Sequence, residues 1–393
     1  MKSINVERIH GLDALRAIMM LLGIVLHAGL TYASGNYSTF WSLKSPQNSL
    51  FFDIVVAYIH FFRMPVFFVV SGYFGALLFY KKGPEQMLRN RINRIFLPFI
   101  AGVLMVYPMS IFAFAYTNSA LAGEIVPLKK AWNEIIIGKF FPYNVLHLWF
   151  LYFLIFYSFG GWLLAKIFKN DTGLSICFNK TLTYILQNFW LRIITLTSLF
   201  FLCLYWIGEP YLTTNNKWSI DLPIFMTYFM FFELGWVIFK TNSLNKMKDY
   251  PFGQLAVATF LFFAFLFTPW GDSAWTIYAK EFLSALFCTI FIFGFIALFM
   301  TYFNTNSPKL DYVMGATYWV YLIHLPIVAF LPGLFSDFAI SPFLKFFITL
   351  LITIILCFIS YHFLVRKTFI GRFLNGKIHK FKKNVTLESV KEQ

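Results

Sequence analysis

The sequence predicts an all-α, polytopic integral membrane helix bundle, and three observations carry that prediction. Hydrophobic residues make up 59% and charged residues 12% of the 393 residues, about half the roughly 25% charge of a soluble domain. The mean hydropathy is +0.68, and 53 Phe, 21 Tyr and 11 Trp are more apolar surface than a water-exposed chain can hide. About ten apolar runs approach or exceed the roughly 20 residues needed to cross a bilayer. They are 12–34, 51–80, 95–118, 146–167, 189–208, 222–240, 254–270, 276–303, 312–334 and 341–365.

Taken in order, the first run follows MKSINVERIHGLDALRA, which carries two acids and no small-residue cleavage site. It is long enough to span, so it reads as a retained helix and not a signal peptide. The second and eighth runs are long enough to tilt or protrude. Between the third and fourth, residues 119–145 form the longest outer segment, and WNEIIIGKFF within it suggests a stretch lying on the membrane surface. The seventh run is short, and TPWGDSAW makes a tight turn into the eighth. The chain divides into a transmembrane domain, 1–366, and a basic tail, 367–393, with the character of an interfacial helix that frays.

Lys and Arg flank the runs unequally, which sets orientation. With the N-terminus in the cytoplasm, the outer loops hold only Lys44, Lys129, Lys130, Lys139, Lys217 and Lys280, and nearly all other basic residues fall inside. Both termini are therefore expected to be cytoplasmic. The formal net charge of +15 is then mostly topology, so the lipid bilayer is the expected partner and nucleic acid is not. Cys177, Cys203, Cys288 and Cys357 show no paired spacing, three of them lying in apolar runs and Cys177 in a basic loop. Neither disulfides nor a metal site is expected. No internal repeat is visible, nor the inverted pair of broken spans that a secondary transporter would show.

Ionisable groups inside a bilayer are costly and are functional candidates by default. In the first run Arg16 and His27 are eleven residues apart, three turns plus about 20°, so they share a face with about 16 Å of rise between them. Asp13 precedes Arg16 on that face. Asp13 could instead be an N-cap, Arg16 a snorkelling boundary residue and His27 a satisfied core group. In the second run Asp53, His60 and Arg63 lie close to one face, and Pro65 removes a backbone donor just beyond them. Arg63 needs an acidic partner, carbonyls, water or an anion, and an internal salt bridge to Asp53 or Glu233 would satisfy it. Arg91 and Arg94, one turn apart in KKGPEQMLRNRINRIFLPF, could clamp phosphates at the inner surface or serve only as positive-inside flanking residues. His147 and Trp149 open the fourth run, where a Trp is ordinary interface material. His324, near mid-membrane in YWVYLIHLP, reads first as a helix–helix hydrogen-bonding residue.

Together these segments resemble the acyltransferase 3 family. LDALRA with Arg16 and His27, then FFVVSGYF, RINRIFLPF, HLWFL and YWVYLIHLP follow in that family's order from residue 9 to about 330. The resemblance implies a multispan enzyme of the bacterial inner membrane. It would take an acyl group from a cytoplasmic acyl-CoA, as co-substrate with no bound cofactor, and esterify a sugar hydroxyl outside. It implies His27 as the essential imidazole, with Arg16 and Asp13 supporting the same face and Arg91 and Arg94 at the CoA end. Arg63, His60, His147, Trp149 and His324 are then expected to bind substrate. Many members have an Asp just before FFV-x-SG where this chain has Pro65, so that Asp's role does not carry over. The nearby Arg63 is shared with glucan-type members, which favours transfer of a succinyl group to a periplasmic glucan, with glucan synthesis proteins as possible partners. O-acetylation of lipopolysaccharide or another envelope polysaccharide is the alternative within the enzymes, and a secondary transporter the alternative outside them.

Overall fold

The computed structural model describes residues 9–136, 142–167, 173–271 and 273–375. Lipid offers no partner for a free backbone group, so the chain satisfies its own as helices. Among the described residues there is no strand beyond an isolated bridge between Asn144 and Lys217. The helices are α1 (His10–Leu30), α2 (Leu50–Lys82), α3 (Pro84–Arg91), α4 (Leu97–Leu121), α5 (Pro127–Glu134), α6 (Trp149–Ile167) and α7 (Gly173–Gln187). There follow α8 (Phe189–Ile207), α9 (Leu222–Lys240), α10 (Pro251–Phe267), α11 (Ala274–Tyr302), α12 (Pro308–Leu334), α13 (Pro342–Ser360) and α14 (Phe369–Asn375).

Nine of the ten expected runs are helices long and apolar enough to cross a membrane. The tenth, α10, has 17 residues and rises about 25 Å, less than the roughly 30 Å hydrocarbon core. Helix starts are capped where they meet the loops: Ser49, Asn188, Asp221, Ser273 and Ser341 each accept from a backbone N–H of the first turn, which satisfies donors the helix cannot. One element was not expected. The basic loop between the fourth and fifth runs folds partly into α7, and Cys177 sits on that helix. Of the outer surface segment, 132–136 continues α5 while 137–141 lies outside the described residues.

α1 is the central helix, packing against α2, α11, α12 and α13. The closest pairing is α2 with α9, and glycine makes it possible. A Cβ on Gly72 would overlap the Phe232 carbonyl oxygen, and one on Gly235 would overlap that of Val69. Small residues let backbones meet this closely in membrane bundles.

Two opposite faces organise the molecule. At the basal face, where α1 begins, Gly11 N–H donates to Asn304 Oδ1 (2.9 Å) just past α11. Arg94 Nη1 donates there to the Leu374 carbonyl of α14 (2.6 Å). Residues 376–393 of the tail lie outside the described residues. At the opposite, loop face, residues 31–49 fold over the end of α1 into a separate apolar cluster with Leu26, Phe52 and Val328. Asp53, in the first turn of α2, fastens that loop: it accepts from Ser34 N (2.7 Å), Gly35 N (2.9 Å) and Tyr37 Oη (2.9 Å).

Candidate active site

One histidine each from α1, α12 and the turn before α6 and a His–Arg pair from α2 converge on one cavity of about 90 Å³. His27, His60, Arg63, His147, Trp149 and His324 all line it. Six side chains drawn from four separated segments of the sequence thus share one site.

Local chemistry places each of them. Pro326 has no N–H, so the Leu322 carbonyl, four residues earlier on α12, loses its helical donor. His147 Nε2 supplies one, lying 3.2 Å from Leu322 O and 3.1 Å from Tyr321 O. Tyr321 returns the contact, its hydroxyl donating to the His147 carbonyl at 2.7 Å. The turn that delivers His147 passes through Leu146 at φ +45°, a left-handed conformation that a non-glycine residue adopts at a cost of about 1–3 kcal/mol. His324 Nδ1 donates to the Tyr321 (2.8 Å) and Val320 (3.1 Å) carbonyls of its own helix. His60 Nε2 donates to Leu212 O at 2.9 Å. A carbonyl can only accept, so these three rings have their N–H position fixed by the backbone, and a neutral ring then presents its other nitrogen as an acceptor.

His27 differs. Its ring stacks on Trp41 of the 31–49 loop, centroids 5.3 Å apart, and touches His324 at 5.4 Å. Its Nδ1 is buried with no hydrogen-bond partner. His324 in turn contacts His147 at 5.2 Å, so three imidazoles form a continuous series.

Arg63 sits among them, within Coulomb reach of all four histidines. Its guanidinium fits because residue 23 is glycine, since a Cβ there would overlap Nη1. The internal salt bridge considered from the sequence does not form. Asp53 is occupied by the loop, and Glu233 Oε1 is buried without a partner elsewhere in the bundle. Among the described residues no carboxylate pairs with Arg63, and its Nε is buried and unbonded. Pro65 has a counterpart effect to Pro326: the Phe61 carbonyl it frees accepts from Cys288 Sγ at 3.2 Å.

Trp149 is not the interfacial residue its position suggested. It is 5% exposed and packs against Tyr228 and Phe153. His324 likewise bonds its own helix, not a neighbouring one.

The other predicted residues form a separate basal group. Asp13 and Arg16 pair at 2.9 Å, and the Arg16 guanidinium lies 5.3 Å from the Phe74 ring centre. Arg91 Nε and Nη2 are buried without partners. Arg94 engages Leu374, as above, and its carbonyl accepts from Tyr318 Oη at 2.8 Å. A π-helical turn, Ile92–Phe96, starts between the two arginines. Its wider spacing breaks the one-turn alignment read from the sequence, and they meet different neighbours.

Trp41, Tyr321 and Gly23 belong to the site but were not singled out in the sequence. A glycine four residues before His27 inside an apolar helix was the available signal for one of them. Trp41 is a loop aromatic that nothing local distinguishes.

A family profile for an acyltransferase domain matches residues 9–362. The chain is similar to the glucans biosynthesis protein C of Escherichia coli strain K12 and to that of Escherichia coli O81. Each is 25% identical over 392 residues, covering 96% of this chain and 97% of the relative. No solved structure matches.

Proposed function

Because this chain belongs to the acyltransferase 3 family, matched over residues 9–362, and is a multispan membrane acyltransferase, we propose that it moves a succinyl group from acyl-CoA to a sugar hydroxyl of a periplasmic glucan. The observation that carries the reading is the meeting of four histidines with a guanidinium that has no carboxylate partner, in one cavity beneath the loop face. Similarity to glucans biosynthesis protein C supports the glucan acceptor, and the basic flanks support placing the basal face in the cytoplasm of a bacterial inner membrane.

In this reading Arg91 and Arg94 meet the CoA phosphates at the basal face, with Arg16, itself paired to Asp13, near Arg91. The acceptor comes from the loop face. His27 takes the proton of the sugar hydroxyl as its oxygen attacks the thioester carbonyl. The carbon–sulfur bond breaks, and the proton passes to the thiolate that leaves. Arg63 pairs with the free carboxylate of the succinyl group, since burying that anion alone would cost several kcal/mol.

The test is transfer by purified protein to a periplasmic glucan from succinyl-CoA and acetyl-CoA, with mass spectrometry of glucan from a deletion strain. Succinyl esters made in vitro and missing from the deletion strain support the reading. A wild type that uses only acetyl-CoA replaces it with O-acetyl transfer.

A further inference from the structure

We infer that His324 is the orienting partner of His27, so that the two rings act as a dyad in which only His27 meets the substrate. This rests on the acyl-transfer reading above. A general base works best when a third group fixes its tautomer and ring angle, the part the buried carboxylate plays in a Ser-His-Asp triad. His27 has no such carboxylate. The imidazole in contact with it is His324, at 5.4 Å between centroids, while the Trp41 indole N–H is committed to Thr31 Oγ1.

The hydrogen-bonding states of the two rings fit each other. His324 Nδ1 is committed to the Tyr321 and Val320 carbonyls, so on the neutral ring Nε2 is a lone-pair acceptor. That Nε2 is buried with no partner. In the neighbouring ring, His27 Nδ1 is also buried with no partner, and His27 is the one ring of the four whose hydrogen no backbone carbonyl fixes. If His27 carries its hydrogen on Nδ1 and directs it at His324 Nε2, both buried nitrogens are satisfied. His27 Nε2 then keeps its lone pair for the sugar hydroxyl. Catalytic hydrogen bonds of this kind are often long before substrate binds and shorten in the complex.

Arg63 gives the arrangement its direction. A Cβ at Gly23 would overlap Arg63 Nη1 and lie 4.0 Å from His324 Nε2, so the guanidinium stands next to the acceptor nitrogen. A guanidinium carries donors only, so of the two groups there His324 Nε2 alone can accept the His27 hydrogen. The proton balance is simple. The hydroxyl proton moves to His27 Nε2 and on to the leaving thiolate, while the Nδ1 hydrogen stays shared with His324 throughout.

Two substitutions separate this role from packing. Asn at 324 keeps a donor at the place of Nδ1 but has nothing at Nε2, whereas Gln reaches the Nε2 position with an amide oxygen that can accept. Measured on the purified full chain, His324→Asn is expected to lower kcat by at least about 100-fold, with KM for succinyl-CoA unchanged. His324→Gln is expected to recover at least about tenfold of that loss. Equal kcat in the two variants, whether both active or both lost with the folded protein, overturns the inference. The wild type runs alongside. An inactive wild type removes the acyl-transfer reading and this dyad with it, while an active wild type beside an active His324→Asn removes the dyad alone.

Discussion

A guanidinium without a carboxylate, in a cavity walled by imidazoles and aromatic rings, is costly to keep unless something anionic visits it. Arg63 is held in that state by Gly23, which leaves room for it, and by Asp53, which is engaged elsewhere. Removing the charge should therefore affect one donor more than another. Arg63→Gln is expected to lose succinyl transfer by about 100-fold or more while acetyl transfer changes far less, measured as paired rates from the two thioesters. Equal losses would make Arg63 structural. His27→Ala is expected to cost at least about 100-fold in kcat at normal membrane abundance, and near-normal glucan modification would remove it from the chemistry. Both residues were legible in the sequence because a charge or imidazole in an apolar run needs a reason. Trp41 was not: its place over His27 depends on a loop closure that no periodicity encodes.

At the scale of the element, two devices hold the site, and they differ in how far the sequence disclosed them. Pro326 was visible, but its consequence was not, because the donor that replaces its missing N–H comes from His147 on a distant segment. Pro326→Ala would return a helical donor to the Leu322 carbonyl and compete with His147. The expected result is unchanged or raised thermal stability together with roughly tenfold lower activity, read from a melting curve and a rate on the same sample. The second device is the Asp53 clasp. Burial, then the hydrogen bond and charge of Asp53, push the Tyr37 phenol well above its ordinary value, so it remains the donor throughout the physiological range. Asp53→Ala removes three hydrogen bonds to a carboxylate, each worth about 1.5–3 kcal/mol, and frees the loop that carries Trp41. KM for the glucan should rise with little change in KM for succinyl-CoA, and a shifted tryptophan emission should accompany it. Equal changes in both constants would place the clasp's effect outside the acceptor side.

For the molecule as a whole, the apolar runs were legible because lipid permits so few structures, and their ends fell within a few residues of the helices found. What stayed hidden was which runs touch, since lipid and partner helix are equally apolar and even the polar faces of the first two runs name no partner. Orientation is open to direct measurement. Lys248→Cys is expected to resist a membrane-impermeant thiol reagent in intact cells while Glu124→Cys reacts, and the reverse pattern would invert the siting of donor and acceptor. The glycine contact between α2 and α9 bears on how such an enzyme can work at all. With backbone set against backbone at Gly72 and Gly235, these two helices form a single strut, and Gly235→Ala should lower the yield of folded protein sharply. His60 and Arg63 are carried on that strut, so the guanidinium side of the cavity has a fixed address in the bundle. Passage of an acyl group between two compartments then calls for no rocking of one half of the bundle against the other. On the proposed reading the frame stands still, and the long flexible acyl-CoA spans the distance.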